Sequence, residues 1–435
     1  MEEGKIEEKQ TAEATAAVKE EISGKMDTYL IGIYVTLCIM SIVESFSASA
    51  QEIAMTGSVY GPIIKHIIFL MIGTVLMIWI AKKDFIKFPM PSIIFSVLVV
   101  VLLILTKFIG QNINGAQRSI SLLGFTVQPA ELSKIAVVFL LAILLASNIK
   151  DKSVSKVGLF SCGLVVGVFG SLLVMQGMTN TLLFMGISIS MLLIGGISWK
   201  QLGKVLLFYI VFGGALYIVK SIHEESRLED LDGLEQVEAK PMMRSETWQN
   251  RLTAWVEEVF DEDPWTNEGI LEEPQKRHSY MAQANGGLIG VGPGQSRETS
   301  RLPLAFSDYV YSIVVEDLGF LGGLFVAALY FCILFRAGQI AKKSRRAYPA
   351  MLVMGMATLI VMQAYFHMAI NTGVFPVSGQ NLPLISKGGT SIFVICAAFG
   401  VMLSVSRTLP KGKKKNTIEE KLPDSIMAAN PTAES

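Results

Sequence analysis

Charged residues are scarce in this chain, and their scarcity excludes most classes of soluble protein. Only 17% of the 435 residues are Asp, Glu, Lys or Arg, whereas 51% are hydrophobic, and the mean hydropathy is +0.49. A soluble domain usually carries about a quarter charged residues. The 37 basic and 37 acidic residues cancel, so no net positive field indicates a nucleic-acid partner. The composition predicts an integral membrane protein.

Metal-ligating and redox-active residues are equally sparse. The chain has four cysteines, each inside an apolar run, and four histidines. Neither a CxxC pair nor a Cys/His cluster is present, so a structural zinc site is not expected. Single buried thiols behave mostly as small hydrophobes. No internal repeat is visible, and the sequence therefore offers no support for an inverted-repeat transporter.

Long apolar runs are what the chain does contain. A transmembrane helix needs about 20 mostly apolar residues, and ten stretches meet or approach that length. The predicted spans are Tyr29–Ser47, Ile63–Ala81, Ile93–Thr106, Pro129–Ser147, Val157–Gln176, Thr179–Ser198, Val205–Val219, Tyr309–Phe335, Pro349–Ile370 and Gly388–Val405. The predicted fold class is all-α, a polytopic membrane protein with about ten transmembrane helices.

Basic residues decide the orientation of these spans. The loops on the side of the N-terminus carry 18 Lys and Arg residues, whereas the short loops on the other side carry few. Because basic loops stay in the cytoplasm, both termini are predicted to be cytoplasmic. Residues 1–27 are predicted to be a disordered tail and not a signal peptide, since no apolar core follows a basic start. Residues 28–406 form the membrane domain, and residues 407–435 form a basic and then polar tail.

One extracytoplasmic loop, residues 222–307 between spans seven and eight, is far longer than the others. It carries 17 acidic and 8 basic residues. Trp248, Leu252 and Trp255 recur at helical spacing, which predicts a helix lying on the protein or at the headgroup layer. A loop of this length is either functional or a disordered linker.

Polar and Gly/Pro-rich runs collect on the predicted outer side. The four runs are Asn114–Arg118 with Gln128–Lys134, Asn285–Gly294, Leu302–Asp308, and Phe375–Gly379 with Leu382–Ser391. Four specialised loops on one face predict a site for a substrate that is reached from outside the membrane.

Ordinary structural explanations compete with a functional one at each run. Pro129 and Glu131 suit the first turn of a helix, and Lys134, one turn further along, could merely neutralise Glu131. The glycines from Gly290 to Gly294 lack the strand–turn–helix context of a dinucleotide site and fit a tight turn. Lys387 and the glycines after it could cradle an anion through backbone amides. An ionisable residue at membrane depth is nevertheless a functional hypothesis by default.

Taken together, these motifs resemble the SEDS family, the shape, elongation, division and sporulation proteins. The family pattern NGARRW…QPSElaK is matched by residues 114–118 and 128–134. The pattern GGlxGxGxGxS…LPexxtDF…EElG is matched from Gly286 to Gly319, and PvtGxxLPfiSyGGSS is matched from Pro376 to Ser391. The resemblance covers most of residues 29–405. The run from Gly292 to Ser296, followed by Ser307-Asp308, is closer to the FtsW branch than to the RodA branch.

The sequence departs from the family pattern at four positions. The Trp that follows the family's arginine is Ser119, the acidic residue of its LPE triplet is Leu304, and the aromatic before its Gly-Gly pair is Lys387. The family's PDxGT segment becomes residues 177–181, without the aspartate. No function is carried over for that Trp, Glu or Asp.

The resemblance implies a peptidoglycan glycosyltransferase that polymerises lipid II at the outer face of the bacterial cytoplasmic (inner) membrane, in septal synthesis at the division site. A sugar hydroxyl attacks an anomeric carbon and polyprenyl pyrophosphate leaves, so a general base and cations are needed. Asp308 is the predicted base; the alternative is that Ser307 or Asp308 caps the next helix. The predicted substrate-binding residues are Arg118, Gln128, Glu131, Lys134, Ser386 and Lys387.

The resemblance also implies partners and leaves other functions open. A class B penicillin-binding protein (a transpeptidase), other division-complex membrane proteins and membrane lipid are expected partners, and nucleic acid is not. No cofactor is certain; a divalent cation such as Mg²⁺ or Mn²⁺ could be held by carboxylates, but no spacing singles out its ligands. The alternatives are a flippase for lipid-linked precursors and a non-catalytic division scaffold.

Overall fold

The computed structural model describes residues 24–49, 57, 60–113, 116–122, 125–150, 153–174, 176–205, 207, 253, 255–256, 260, 274–302, 306–344, 346–376 and 379–409. Ten α-helices with defined bounds, one 3-10 helix (Phe85–Lys87) and five short strands lie in these ranges, together with a helical stretch at residues 199–205. The helices are α1 Thr28–Ala48, α2 Gly61–Ala81, α3 Pro89–Ile109, α4 Pro129–Asn148, α5 Lys156–Val174, α6 Met178–Ile194, α7 Pro274–Gly286, α8 Val310–Lys343, α9 Ala347–Asn371 and α10 Gly389–Arg407.

Eight of these helices are long and apolar enough to cross a membrane, namely all except α6 and α7. Helix α6 is a shorter apolar helix at the sixth predicted span. Each of the eight overlaps one of the ten predicted spans, so the multi-pass helical architecture is confirmed. Residues 199–205 are helical, but most of the seventh predicted span, the acidic part of the long loop and both predicted tails lie outside the described residues.

Local sequence explains where several helices begin. Proline stands in the first turn of α2, α3 and α4, a position where its missing N–H costs no hydrogen bond. Asp27 caps α1, because its side chain accepts a hydrogen bond from the Leu30 amide at 3.0 Å. Asp27 also binds Arg336 of α8 with an Nη2–Oδ2 distance of 2.7 Å, which joins the N-terminal end of α1 to the C-terminal part of α8.

Two small antiparallel sheets were not predicted from the sequence. Strands β1 (Gln111–Ile113), β2 (Ala116–Leu122) and β3 (Phe125–Val127) form the first in the order β1-β2-β3. Strands β4 (Ile149–Lys150) and β5 (Ser153–Val154) form the second. Ile113 pairs with Ala116, so β1 and β2 are separated by Asn114-Gly115, a dipeptide favoured in two-residue hairpin loops. Runs this short lack the alternation that identifies a strand.

Helices α4, α9 and α10 form the interior of the helix assembly. Helix α4 packs against α3, α5, α6, α9 and α10, and α10 packs along α2. The buried core draws most of its side chains from these helices and from α8. The loops that precede α4, α8 and α10 carry the sequence motifs.

Candidate functional site

A break in helix α8 holds the glycine-rich loop. Gly319 has φ 75° and ψ −178°, so the helical hydrogen bonds are interrupted at this residue. The loop supplies replacements: Val291 and Gly292 donate their amides to the carbonyls of residues 316 and 317 at 3.0 and 2.9 Å, and the residue 320 amide donates to residue 287 at 2.9 Å. A Cβ on Gly290 would lie 2.3 Å from the residue 317 carbonyl oxygen. Close backbone approach therefore explains these glycines better than ligand binding does.

Glu316, the next acidic residue along α8 after Asp308, secures the same loop. Its side chain is fully buried and accepts hydrogen bonds from the Ser296 hydroxyl, from the Arg297 amide at 3.0 Å, and from the Asn285 side chain at 3.4 Å. A carboxylate with this many internal donors is committed to holding the loop, so Glu316 is poorly suited to accept a substrate proton.

The loop between α9 and α10 is anchored within the helix assembly. Ser41 of α1 donates its hydroxyl to the Leu384 carbonyl at 2.7 Å, and Tyr330 of α8 donates to the Pro383 carbonyl at 2.6 Å. Leu384 has φ 65° and is the non-glycine residue with positive φ among those described. A leucine accepts this costly conformation where the surrounding contacts impose it. The loop is therefore rigidly placed.

Ser386 and Lys387 join this loop to the segment that carries Asp308. The Ser386 hydroxyl donates to the Ser307 carbonyl at 2.9 Å and accepts the Leu382 amide at 2.8 Å. The Lys387 amide donates to the Phe306 carbonyl at 3.0 Å. The structure thus brings Ser386 and Lys387 beside Asp308. The buried Ser386 hydroxyl is occupied by these two hydrogen bonds inside the protein. Its contribution to ligand binding would therefore be to position this loop.

The Lys387 side chain is only partly buried. Its Nζ atom donates to the Ser49 hydroxyl at the end of α1 and lies 5.5 Å from the centre of the Phe306 ring. The family's aromatic residue is thus replaced by a cation at the entrance to α10.

Asp308 lies just before α8 and is partly buried. The helix has Tyr309 as its N-cap, without a side-chain capping bond, so neither Ser307 nor Asp308 occupies the N-cap position of α8. A Cβ on Gly379 would lie 3.1 Å from Asp308 Oδ2. The carboxylate therefore sits against the α9–α10 loop, at a position where a side chain would crowd it.

Glu131 and Lys134 form a buried ion pair in α4. The Lys134 Nζ atom lies 2.6 Å from Glu131 Oε1 and donates to Gln363 Oε1 of α9 at 3.0 Å. Gln363 in turn donates to the Asn381 carbonyl at 3.1 Å and to Ser391 Oγ at 3.4 Å. This buried cluster connects α4 to α9, to the α9–α10 loop at Asn381 and to the first turn of α10 at Ser391.

Burial limits what Lys134 can contact directly. Lys134 is one of the predicted substrate-binding residues, yet its side chain is 1% exposed. A charge in a low-dielectric interior requires a partner, and Glu131 and Gln363 supply it. The arrangement suits positioning of the loop rather than direct contact with a substrate.

The two other predicted binding residues lie beside α4. Gln128 precedes the helix, and its amide donates to Thr390 Oγ1 at the start of α10 at 3.2 Å. Thr390 donates onward to the Thr126 carbonyl at 2.9 Å. Arg118 lies in β2 of the outer sheet; its side chain is outside the described residues. The functional roles of Gln128 and Arg118 stay predictions.

Three buried polar residues of α9 are not among the site residues predicted from the sequence. Gln363, His367 and Asn371 are buried and spaced four residues apart, so they share one face of the helix. Asn371 donates to the Asp308 carbonyl at 3.0 Å, and His367 Nδ1 lies 2.6 Å from the Gln380 carbonyl. Polar residues repeating every four positions in a predicted span were the signal that could have identified them.

Two further carboxylates are buried, near the end of α1 and in the first turns of α8. Glu44 is fully buried and its carboxylate oxygens make no hydrogen bond to any described residue, whereas Asp317, 1% exposed, lies beside Ser47 and the Gly294 backbone. Within the same described ranges, no group of three or more His, Cys, Asp or Glu side chains could hold a metal ion.

Comparisons with known proteins agree with this architecture. A family model described as a cell cycle protein, covering FtsW, RodA and SpoVE, matches residues 27–411. A relative from Geobacter metallireducens is 30% identical over 324 residues, which are 72% of this chain and 76% of that protein. Another from Xanthomonas oryzae is 26% identical over 394 residues, 89% of this chain and 74% of that protein. Both are named probable peptidoglycan glycosyltransferase FtsW.

A solved structure shares the fold. It is described as "Structural coordination of polymerization and crosslinking by a peptidoglycan synthase complex". One of its chains superposes with a TM-score of 0.64 at 19% identity, covering 88% of this chain and 98% of that chain. At this identity the likeness establishes the fold, a polytopic membrane protein.

Proposed function

Because this chain belongs to the cell cycle protein family of FtsW, RodA and SpoVE, we propose that it is a peptidoglycan glycosyltransferase that polymerises lipid II at the outer face of the cytoplasmic membrane. The relatives named above carry the same activity in their names. The observation that carries the proposal is the bonded junction between residues 306–308 and the α9–α10 loop, where the Gly379 position faces Asp308 Oδ2. The basic loops predict an outward orientation for this end of the membrane spans.

Asp308 is the proposed general base. A sugar hydroxyl of one substrate molecule attacks the anomeric carbon of the other, and its proton passes to the Asp308 carboxylate. The bond from that carbon to the pyrophosphate oxygen breaks, and the polyprenyl pyrophosphate leaves with the bonding electron pair. A carboxylate that is partly open, beside the bonded loops of residues 306–308 and 382–387, is placed for proton transfer at this end of the protein.

Cations are needed where negative charge develops on the pyrophosphate. Lys387, which is partly exposed, and Arg118 of β2 are the proposed direct contacts. Gln128, Glu131, Lys134 and Ser386 contribute by holding the loops. A divalent cation such as Mg²⁺ or Mn²⁺ is compatible with this site, because Mg²⁺ is commonly held by one or two carboxylates together with substrate phosphates and water; Asp308 would be its protein ligand.

A class B penicillin-binding protein is the proposed partner. Support comes from the family and from the fold shared with a chain of a peptidoglycan synthase complex. Contact is proposed both within the membrane, where apolar helix faces are exposed, and at the outer loops. We also propose a location at the division site, with other division proteins, because the relatives named above are FtsW proteins.

A polymerisation assay tests the function. The purified protein is incubated with lipid II, with and without the cognate penicillin-binding protein, and glycan strands are resolved by size. Strand formation that is lost in Asp308→Asn supports a glycosyltransferase. Absence of polymer under both conditions would favour the flippase or scaffold alternatives. Chelation followed by addition of Mg²⁺ or Mn²⁺ tests the cation in the same assay.

A further inference from the structure

We propose that Asn371, at the end of α9, is a positioning residue that holds the backbone of Asp308 in register for catalysis. The inference rests on the proposed function, since it takes Asp308 as the general base. Asn371 is fully buried, and neither the motifs nor the substrate chemistry singled it out.

The orientation of the Asn371 amide is determined by its neighbours. Its Oδ1 atom accepts hydrogen bonds from the Ser312 amide at 3.2 Å and the Ser312 hydroxyl at 2.9 Å. Its Nδ2 atom donates to the carbonyls of Asp308 and His367, each at 3.0 Å. A backbone amide can only donate and a carbonyl can only accept. The side-chain oxygen therefore faces Ser312, and the nitrogen faces Asp308.

This amide does for α8 what an N-cap residue usually does. Ser312 lies in the first turn of α8, where backbone amides lack the i−4 carbonyl partner of a helix interior; its amide is shared between the Tyr309 carbonyl at 3.0 Å and Asn371 Oδ1 at 3.2 Å. The N-cap residue, Tyr309, supplies no side-chain bond. Asn371, which belongs to a different helix, accepts a hydrogen bond from the Ser312 amide through Oδ1 and donates one to the Asp308 carbonyl through Nδ2. Both bonds fix the start of α8 relative to α9.

His367 extends the same arrangement to the loop that borders the carboxylate. Its Nδ1 atom lies 2.6 Å from the Gln380 carbonyl and so must carry the proton, which leaves Nε2 as an acceptor facing Asn371 Nδ2 at 3.3 Å. Gln380 follows Gly379, whose Cβ position is 3.1 Å from Asp308 Oδ2. Asn371 therefore holds the backbone of the proposed base, and His367, one turn earlier in α9, holds the loop that the base contacts.

An isosteric substitution separates positioning from folding. Asn371→Asp keeps an acceptor for Ser312 but places an oxygen against the Asp308 carbonyl, so the hydrogen bond to that carbonyl is lost. We expect kcat for lipid II polymerisation to fall about tenfold or more while KM changes less than about twofold, because substrate binding does not need the base in register. Ser312→Ala removes the hydroxyl bond to Asn371 together with the bonds to Ser279 and Gln283 of α7, and should lower kcat several-fold as a milder second variant.

The matched control is Thr372→Ala at the adjacent position. The Thr372 hydroxyl bonds only within α9, to the carbonyls of residues 368 and 369 at 3.1 and 3.3 Å. It should show wild-type kcat, and all variants should reach similar membrane levels and unfolding temperatures. Wild-type kcat in both Asn371→Asp and Ser312→Ala would overturn the inference, as would a rise in KM that accounts for the whole defect.

A double variant tests whether Asn371 acts through Asp308. If it does, adding Asn371→Asp to Asp308→Asn should cause little further loss, because no base remains to be positioned. Multiplicative losses would show an independent role and overturn the inference. A wild-type protein that makes no polymer would instead refute the proposed function, and the inference would fall with it. An active wild type with an active Asp308→Asn would refute the assignment of the base and the inference that rests on it, and would leave the glycosyltransferase activity in place.

Discussion

The interior helices and the peripheral helices of this protein differ in what they bury. Within the apolar windows of α4, α9 and α10, 61%, 67% and 78% of residues are buried inside the protein, against 28%, 28% and 33% for α2, α3 and α5. The interior set carries Glu131, Lys134, Gln363 and Asn371 in bonded clusters. The peripheral set presents large apolar side chains outward, among them Ile94, Val97, Leu98, Phe160 and Leu164.

The difference shows which residues identify the interior helices of a membrane protein. Lipid is as apolar as a leucine side chain, so apolar residues gain little by turning inward. Polar and charged groups, by contrast, must find partners inside the protein. The interior is therefore recognised by its polar residues, and substitutions there should have effects that peripheral substitutions lack.

Asp308→Asn should produce the largest effect at the interior site. The amide keeps the size of the carboxylate but cannot accept the substrate proton, so polymerisation should fall by about a hundredfold or more. Membrane levels should stay normal, since Asp308 does not cap α8. Asp84→Asn is the matched control, because Asp84 bonds Arg407 at 2.8 Å outside the site. An active Asp308→Asn protein would refute the base assignment.

Lys134→Met should be the next most damaging change. It leaves the Glu131 carboxylate buried without its cation, and Glu131 Oε2 already has no hydrogen bond to a described residue. Loss of one partner of a buried pair costs about 3–5 kcal/mol, so the unfolding temperature in detergent and the polymerisation rate should both fall.

A double variant shows whether the charge or the loop matters. Glu131→Gln combined with Lys134→Met removes both charges and should recover most of the thermal stability. Recovery of stability without activity would indicate that the pair also positions the α9–α10 loop. Lys83→Met, at the cytoplasmic end of α2, is the control for loss of a lysine. A wild-type rate in Lys134→Met would contradict the prediction.

Gly379→Ala should have a moderate effect confined to catalysis. The added Cβ would lie 3.1 Å from Asp308 Oδ2, which is tighter than ordinary contact, so the carboxylate must shift by a few tenths of an ångström. We expect a several-fold fall in kcat with little change in unfolding temperature. Gly163→Ala in α5 is the control, because a Cβ there meets nothing within 4 Å. Equal rates for the two variants would contradict this prediction.

Leu98→Ala should have the smallest effect and is the sharpest test of the comparison itself. Leu98 of α3 is 54% exposed on the apolar surface, whereas Leu141 of α4 is fully buried. Leu141→Ala leaves a cavity and should destabilise the protein by about 2 kcal/mol or more. Leu98→Ala exchanges one lipid-facing apolar surface for another and should leave the unfolding temperature unchanged. Equal destabilisation would mean that the two helix sets do not differ as described.

How far the sequence predicts this protein depends on the range of the interactions involved. The spans follow from local runs of apolar residues, which the bilayer requires to be long and continuous. The orientation is predicted by the basic loops, and the loops that precede α4, α8 and α10 are visible as motifs. Eight spans and the family were therefore predictable, although the two β-sheets, with strands of two to seven residues, were not.

Pairing between distant residues was decided only by the tertiary structure. Lys134 meets Gln363 across 229 positions, and Lys387 meets Ser49 across 338. The break at Gly319 also has meaning only once the glycine-rich loop supplies its missing hydrogen bonds. The sequence specifies which groups cannot remain unpaired in a membrane, because the free-energy cost of burying an unpaired polar group depends on the chemistry of that group alone. Which partner satisfies each group depends on how the helices pack, and that arrangement is not local to any motif.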